Sequence, residues 1–93
     1  MELIGQLLID EFIKQYPRSE APLNRWVKET KAAQWKNFSE LRQTFPSADY
    51  VAPYVIFNIG GNKFRTVAIV TFNKEMVKVE RIMTHTQYNR WKP

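Results

Sequence analysis

The first place where this chain could carry out chemistry is the stretch at residues 85–88, which holds its only histidine. Thr84, followed three residues later by Gln87, has the spacing of a capping box and predicts a short helix from His85 to Trp91. His85 then lies in the first turn, where free backbone N–H groups and the positive end of the helix dipole attract a phosphate. A neutral imidazole beside a phosphate suits acid–base catalysis, although a single histidine after a strand is more often a capping or surface residue.

Two arginines stand at the ends of strand faces that are otherwise apolar. By alternation, Arg65 shares a face with Val67, and Arg81 shares one with Val79 and Met83. Because a charged side chain seldom lies on a packed face without a partner, each position indicates either a salt bridge or a cleft that receives an anion. The alternative is that the aliphatic stems cover the sheet edges while the guanidinium groups remain in water.

Tyr88 follows His85 by three residues and therefore falls on the same side of the predicted helix. Its ring could stack on an RNA base, or it could hold the helix against a sheet. Together with Lys63 and the two arginines, these side chains form the only set in residues 51–93 that combines proton-transfer groups with cations. This set is our candidate catalytic site.

The same half of the chain contains very few acids, which are Glu75 and Glu80. A two-metal nuclease needs a cluster of carboxylate oxygens, so we predict a site without metal or cofactor. RNA would instead be cleaved by attack of its own 2′-OH on the adjacent phosphate, which needs a base, an acid and cations. The product would be a 2′,3′-cyclic phosphate, and DNA would resist because it lacks the 2′-OH.

The charge of the chain is unevenly distributed. The formal net charge is +5 over 93 residues, and residues 1–50 contain as many acidic as basic side chains, so the whole excess lies in residues 51–93. This asymmetry is typical of a polyanion-binding face, although small basic proteins are also common. The length and the 44% hydrophobic content predict one domain over residues 1–93. The absence of cysteine excludes disulfides and thiolate metal sites.

No apolar stretch approaches the roughly 18 residues that span a bilayer. Glu2, Asp10 and Glu11 occupy the N-terminal region, where a signal peptide would carry Lys or Arg. We therefore expect a soluble, cytoplasmic protein without a membrane partner.

The elements that must position these residues begin with helices. Residues 2–4 are consistent with a short strand, after which apolar residues recur at helical spacing up to Pro17. Ser19 predicts the N-cap of a second helix, and Ser39 predicts the N-cap of a short third helix that Pro46 ends.

Strands follow the helices. Residues 54–59 are rich in β-branched and aromatic side chains, and the two glycines at 60–61 are typical of a tight hairpin. Residues 63–72 predict a central strand covered on both sides, and residues 76–83 predict a further strand. The fold class that we predict is α+β, with N-terminal helices packed on an antiparallel sheet of three to four strands and a short C-terminal helix.

Four stretches together resemble one known family. They occur in the family's order and cover most of the chain: EAPLNRW (20–26), AAQWKNFSELRQTFPSAD (32–49), VIFNIGGNKFR (55–65) and MTHTQY (83–88). With these stretches the sequence resembles the HigB branch of the RelE-type toxins, which are small mRNA interferases of bacterial type II toxin–antitoxin pairs.

The resemblance implies a RelE-like fold, cleavage of translated mRNA on the ribosome, and neutralisation by a HigA-like antitoxin that carries a helix-turn-helix. The residues that match the family's motifs by position are Asn62, Lys63, Arg65, Arg81, His85 and Tyr88. We predict as catalytic residues His85, Arg65, Arg81 and Tyr88. We predict as residues that bind RNA phosphates Lys63, Asn62, Thr84, Lys78 and Arg90.

Two positions depart from the family's pattern. The motif tyrosine is usually followed by Asp, but here it is followed by Asn89, so a His–Asp pairing is not expected. Thr66 replaces the usual apolar residue after the hairpin arginine.

Two other functions are consistent with the sequence. A toxin of the same fold could inhibit a protein target such as a topoisomerase without any chemistry. A non-catalytic RNA-binding domain could use Phe57, Phe64 and Phe72 as stacking platforms, although these are as readily core residues. The antitoxin could place an acidic segment over the basic face, or it could bind the neutral helices and leave the site open.

Overall fold

The computed structural model describes residues 1–91 and has the predicted α+β architecture. The strands are β1 (Glu2–Ile4), β2 (Asp49–Val51), β3 (Tyr54–Ile59), β4 (Phe64–Thr71) and β5 (Met76–Thr84). The helices are α1 (Gln6–Gln15), α2 (Glu20–Ala32), α3 (Phe38–Thr44) and α4 (His85–Trp91). None of the helices within residues 1–91 is long and apolar enough to cross a membrane.

The sheet has five strands in the order β1-β5-β4-β3-β2, so the predicted number of three to four was too low. The strand that the sequence did not reveal is β2, which has only three residues and begins with the exposed pair Asp49 and Tyr50. The sheet is also mixed, because β1 pairs with β5 in parallel while all other pairs are antiparallel. The prediction of a wholly antiparallel sheet was therefore wrong.

Gly5 explains how the chain leaves β1 and enters α1. Its φ of 106° is in the left-handed region that glycine adopts readily, and a Cβ at this position would stand 3.0 Å from the Cβ of Val79 on β5. The absent side chain therefore lets α1 turn back closely over the neighbouring strand.

One side of the sheet, here called the helix-covered face, packs against α1, α2 and α3. Trp26 of α2 meets Phe57 of β3 edge to face with ring centroids 5.2 Å apart, and Phe45 meets Phe57 at 5.4 Å. The main core cluster on this face includes Ile9, Phe12, Leu23, Trp26, Trp35, Leu41, Val55, Phe57, Ile59, Phe64, Val77 and Val79. Burial of these apolar side chains is the main source of the fold's stability.

The opposite side, here called the α4 face, carries a much smaller cluster. Its buried apolar residues are Ile56, Val67 and Met83, which pack against Tyr88 and Trp91 of α4, among others. A seven-residue helix is thus the main cover of this side.

An irregularity in β5 decides which side chains reach the α4 face. Val67 pairs with Arg81, but the next residue of β4, Ala68, pairs with Val79, so Glu80 is an extra residue in the ladder. Such a bulge reverses the alternation. Val79 therefore lies on the helix-covered face, whereas Arg81 lies with Val67 on the α4 face. The prediction that Arg81 and Val79 share a face was wrong for this reason.

The helix caps differ from the predicted ones in two places. The N-cap of α3 is Asn37 rather than Ser39, and its Oδ1 accepts a hydrogen bond of 2.9 Å from the backbone N–H of Glu40. Ser19 does precede α2, but its hydroxyl donates to the carbonyl oxygen of Tyr16 at 2.6 Å instead of capping the helix.

Candidate functional site

The site begins at the β3–β4 hairpin. Gly60 and Gly61 have φ values of 63° and 71°, which confirms the predicted turn with two residues of positive φ. Ile59 pairs with Phe64, so the loop has four residues and presents Asn62 to solvent. The hairpin thereby places a polar side chain next to the first residues of β4.

The start of α4 is fixed against this hairpin. The predicted capping box is confirmed, because the Gln87 backbone N–H donates to Thr84 Oγ1 at 3.1 Å and the Thr84 backbone N–H donates to Gln87 Oε1 at 3.0 Å. The His85 backbone N–H donates to the carbonyl oxygen of Lys63 at 2.9 Å. The side chain of His85 is therefore held where β4 begins and β5 ends.

Arg65 is the centre of the site. It is only 7% exposed, and its guanidinium contacts three acceptors. Nη1 donates to the carbonyl oxygen of Phe64 at 3.1 Å, while Nη2 donates to Asn62 Oδ1 and lies 2.9 Å from His85 Nδ1. The structure thus brings together three of the predicted site residues, which are Asn62, Arg65 and His85.

The contact between Arg65 and His85 determines which nitrogen of the neutral imidazole carries the proton. A guanidinium can only donate hydrogen bonds, so Nδ1 of His85 must act as the acceptor. In the neutral ring the proton is then on Nε2, on the other side of the imidazole. His85 consequently presents an N–H donor on the side away from Arg65.

Within the described part of the chain, the charge of Arg65 has no ion-pair partner. Each of its three acceptors is a neutral group, and the ion pair found within residues 1–91 is between Lys78 and Glu80 at 3.8 Å, away from Arg65. Burying a cation is costly unless an opposite charge compensates it. An anion bound beside Arg65 would supply that charge.

Tyr88 lies beside Arg65 and also packs on the sheet. The centroid of its ring is 5.5 Å from Arg65 Cζ and 6.3 Å from the centroid of Trp91. This cation–π geometry favours a fixed position of the guanidinium. Two roles were predicted for Tyr88, which are stacking on an RNA base and holding the helix against a sheet. The structure shows the second of them.

Arg81 reaches the α4 face, but no hydrogen bond is found between Arg81 and His85 within residues 1–91. Its Cζ lies 5.3 Å from the centroid of Trp91, and its side chain is exposed. In the β4–β5 ladder, Arg81 is opposite Val67. Met83 lies two residues further along β5 and is opposite Arg65. Arg81 therefore stands one diagonal step along the face from Arg65.

Two predicted phosphate-binding residues lie further from this centre. Lys78 is opposite Ile69, beyond the bulge, and forms its exposed ion pair with Glu80. Arg90 is exposed in the last turn of α4. Both add positive charge near the α4 face without joining the Arg65 cluster.

Two residues near the centre were not predicted. Asn58 is directly opposite Arg65 in the β3–β4 ladder, and Tyr16 at the end of α1 accepts a hydrogen bond of 3.5 Å from Gln87 Nε2. Asn58 could have been found, because it is the one polar residue of β3 between apolar positions. Within residues 1–91, no three or more side chains of His, Cys, Asp or Glu are grouped so as to hold a metal ion.

Comparison with known proteins gives consistent results. Residues 19–91 match the HigB toxin family, described as the RelE-like toxic component of a toxin–antitoxin system. The chain is 30% identical over 92 residues to the mRNA interferase toxin HigB of Escherichia coli K12, covering 96% of this chain and 88% of that protein. The mRNA interferase HigB of Shigella flexneri gives the same values. A further mRNA interferase HigB, from Escherichia coli O6:H1, is 25% identical over 93 residues.

Proposed function

Because the chain belongs to the HigB family of RelE-like toxins, we propose that it is a ribosome-dependent, metal-independent endoribonuclease that acts in the cytoplasm as one domain. Membership of the family makes it the toxin of a toxin–antitoxin pair, an mRNA interferase with an antitoxin as its partner and mRNA as its target.

The observation that carries the proposal is the buried cation of Arg65. It is 7% exposed and contacts only neutral acceptors within residues 1–91. A phosphodiester supplies one negative charge and oxygen acceptors that match the fork of a guanidinium. The scissile phosphate of the mRNA would therefore bind at Arg65, where the charge that develops during cleavage is stabilised.

The reaction that suits these groups is internal transfer of the phosphate. The ribose 2′ oxygen attacks phosphorus, the bond from phosphorus to the 5′ oxygen breaks, and the products are a 2′,3′-cyclic phosphate and a 5′-OH. When the phosphate takes over the Nη2 donor of Arg65, Nδ1 of His85 becomes free and can accept the proton of the 2′-OH. The ammonium group of Lys63 and the hydroxyl of Tyr88 are then the candidates to give a proton to the departing 5′ oxygen, so that one proton is taken up and one is released.

Dependence on the ribosome follows from the modest power of this site. A single positioned acid or base contributes roughly 10²- to 10⁴-fold, and in-line alignment of the 2′ oxygen with the phosphate contributes more. Arg65 and His85 supply charge stabilisation and a proton-transfer group, but they do not by themselves align the 2′ oxygen with the phosphate. A ribosome that presents the codon in a fixed conformation would supply the alignment.

The antitoxin, which we propose to be HigA-like with a helix-turn-helix, is best placed on the N-terminal elements. Among the large apolar residues that are exposed, Ile4, Leu7 and Leu8 lie together on β1 and the first turn of α1. Apolar side chains grouped in this way are typical of an interface. Of the two arrangements open from the sequence, this favours the one in which the site remains uncovered.

The proposal is tested by inducing the wild-type chain, His85→Ala and Gln43→Ala in a bacterial host and mapping the 5′ ends of a reporter mRNA. Gln43 is exposed on α3, on the other side of the sheet, and serves as the control. We expect new 5′-OH ends within translated frames for wild type and Gln43→Ala, and a loss of at least roughly 100-fold for His85→Ala. Growth arrest with intact messages would instead indicate inhibition of a protein target.

A further inference from the structure

A cavity of about 250 Å³ lies at the outer edge of β3, between α2 and the β3–β4 hairpin. It is open because β2 is short and pairs only with Tyr54–Ile56, which leaves the last part of β3 without a strand beside it. Its lining includes Arg25 and Glu29 of α2, Asn58 of β3, and the hairpin glycines.

The cavity and the Arg65 site adjoin the same hairpin, the cavity from the side of α2 and Arg65 from the α4 face. Asn58, which lines the cavity, is directly opposite Arg65, and side chains at such positions start about 5 Å apart. Gly60 and Gly61 line it as well, and the next residue, Asn62, holds the guanidinium of Arg65. An RNA strand with a phosphate bound at Arg65 would reach the cavity by passing over the hairpin.

The lining combines hydrogen-bond donors and acceptors. Arg25 is exposed and has no carboxylate within 4 Å among residues 1–91, so its five donors can reach a ligand. Glu29 adds an acceptor. The carboxylate of Glu29 disfavours binding of a free anion in the cavity. A lining with both hydrogen-bond donors and acceptors instead matches the edge of a nucleobase. Gly61 leaves open space around its α-carbon, so no side chain blocks the entrance.

We propose that this cavity is a base-specificity subsite, which receives the base of the nucleotide adjacent to the scissile phosphate of single-stranded RNA. The inference rests on the proposed function, because it takes the phosphate at Arg65 as its starting point. Arg25 and Glu29 read the base edge, and the hairpin backbone supports it. Arg25 is a specificity residue and takes no part in proton transfer.

Binding can be measured without cleavage through the indole N–H signals of the three tryptophans. Trp26 lines the cavity, Trp91 belongs to α4, and Trp35 is a control because its Nε1 donates to Thr44 Oγ1 in the core at 2.9 Å. The probe is a short mixed-sequence RNA with 2′-methoxy groups, which cannot be cleaved. We expect the signals of Trp26 and Trp91 to shift on titration, while that of Trp35 does not.

Variants separate the cavity from the Arg65 site in this titration. Arg25→Ala should abolish the shift of Trp26 and preserve that of Trp91. Lys28→Ala removes an equal charge from an exposed position of the same helix outside the cavity lining, and it should preserve both shifts. A shift of Trp91 without one of Trp26 in the wild-type chain would overturn the subsite and leave the proposed function standing. Absence of both shifts at millimolar RNA would likewise overturn the subsite, and the 5′-end mapping alone would then decide the proposed function.

Cleavage mapping gives the second readout. In the 5′-end experiment, Arg25→Ala should still cut messages but should lose roughly 5- to 150-fold of the discrimination at one position beside the cut. Lys28→Ala should keep the wild-type base preference. An unchanged preference in Arg25→Ala, with cutting retained, would refute the subsite alone. If the wild-type chain cut no message, the proposed function would fail, and the indole titration would still decide whether the cavity binds RNA.

Discussion

The two faces of the sheet differ in what covers them and in what they bury. The helix-covered face is closed by three helices and buries a large cluster of aromatic and aliphatic side chains. The α4 face is covered mainly by one seven-residue helix and buries three apolar residues together with Arg65. One sheet therefore has a side that provides stability and a side that provides a charged site.

The difference has a physical reason. A buried guanidinium without a counter-charge lowers stability, and a small protein tolerates it only if the rest of its core compensates. The aromatic contacts of Phe57 with Trp26 and Phe45 supply part of that compensation. The site can therefore be held ready for an anion because the other face of the same strands buries the main core.

The sharpest test of this division is Arg65→Met. Methionine is unbranched and of similar length, so it can fill the same space without the charge. We expect RNA cleavage to fall at least roughly 100-fold, because the stabilisation of the phosphate is lost. The free energy of unfolding, measured by urea denaturation, should stay the same or rise. A loss of stability above about 2 kcal/mol would show that Arg65 is part of the structural framework and would contradict the division.

The converse change is Phe57→Ala on the other side of the neighbouring strand. Phe57 is 1% exposed, and truncating a fully buried phenylalanine costs about 3–5 kcal/mol. We expect urea denaturation to show that loss, and we expect the folded fraction of the variant to retain its affinity for RNA. The matched change on the α4 face is Ile56→Ala. It should lower the free energy of unfolding by less, because the short helix α4 can move into the cavity that the truncation leaves. Equal losses of unfolding free energy in the two variants would mean that both faces contribute equally to stability, which would contradict the division.

Much of this division could be predicted from the sequence, because it depends on local patterns. The apolar run of β4 predicts a central strand, the paired glycines predict the hairpin, and Thr84 with Gln87 predicts the start of α4. The arginine on an apolar face predicts an anion site, and the structure places Arg65 with His85.

The rest depended on long-range pairing, which local patterns do not contain. The extra residue Glu80 moves Arg81 to the other face, and nothing in the sequence of β5 marks it. β2 is only three residues long and is a strand because β3 pairs with it. The cavity beside Asn58 exists because that pairing ends early, so Arg25 could not be assigned a role before the ladder was known.

The smallest effect that we predict concerns a polar group on the helix-covered face. Thr66 is fully buried on this face, and its hydroxyl has no hydrogen-bond partner within residues 1–91. An unsatisfied buried hydroxyl costs about 1–3 kcal/mol. Thr66→Val should therefore raise the free energy of unfolding by about 1 kcal/mol.

This last prediction also tests whether the two faces are independent. Thr66 adjoins Arg65 in the chain but points to the opposite side, so cleavage by Thr66→Val should equal that of wild type within about twofold. Thr71→Val is the control, because Thr71 is only half-buried at the end of the same strand and its hydroxyl is not cut off from water. It should leave urea stability nearly unchanged. If Thr66→Val stabilised the protein and slowed cleavage, the packing of the helix-covered face would be coupled to the position of Arg65.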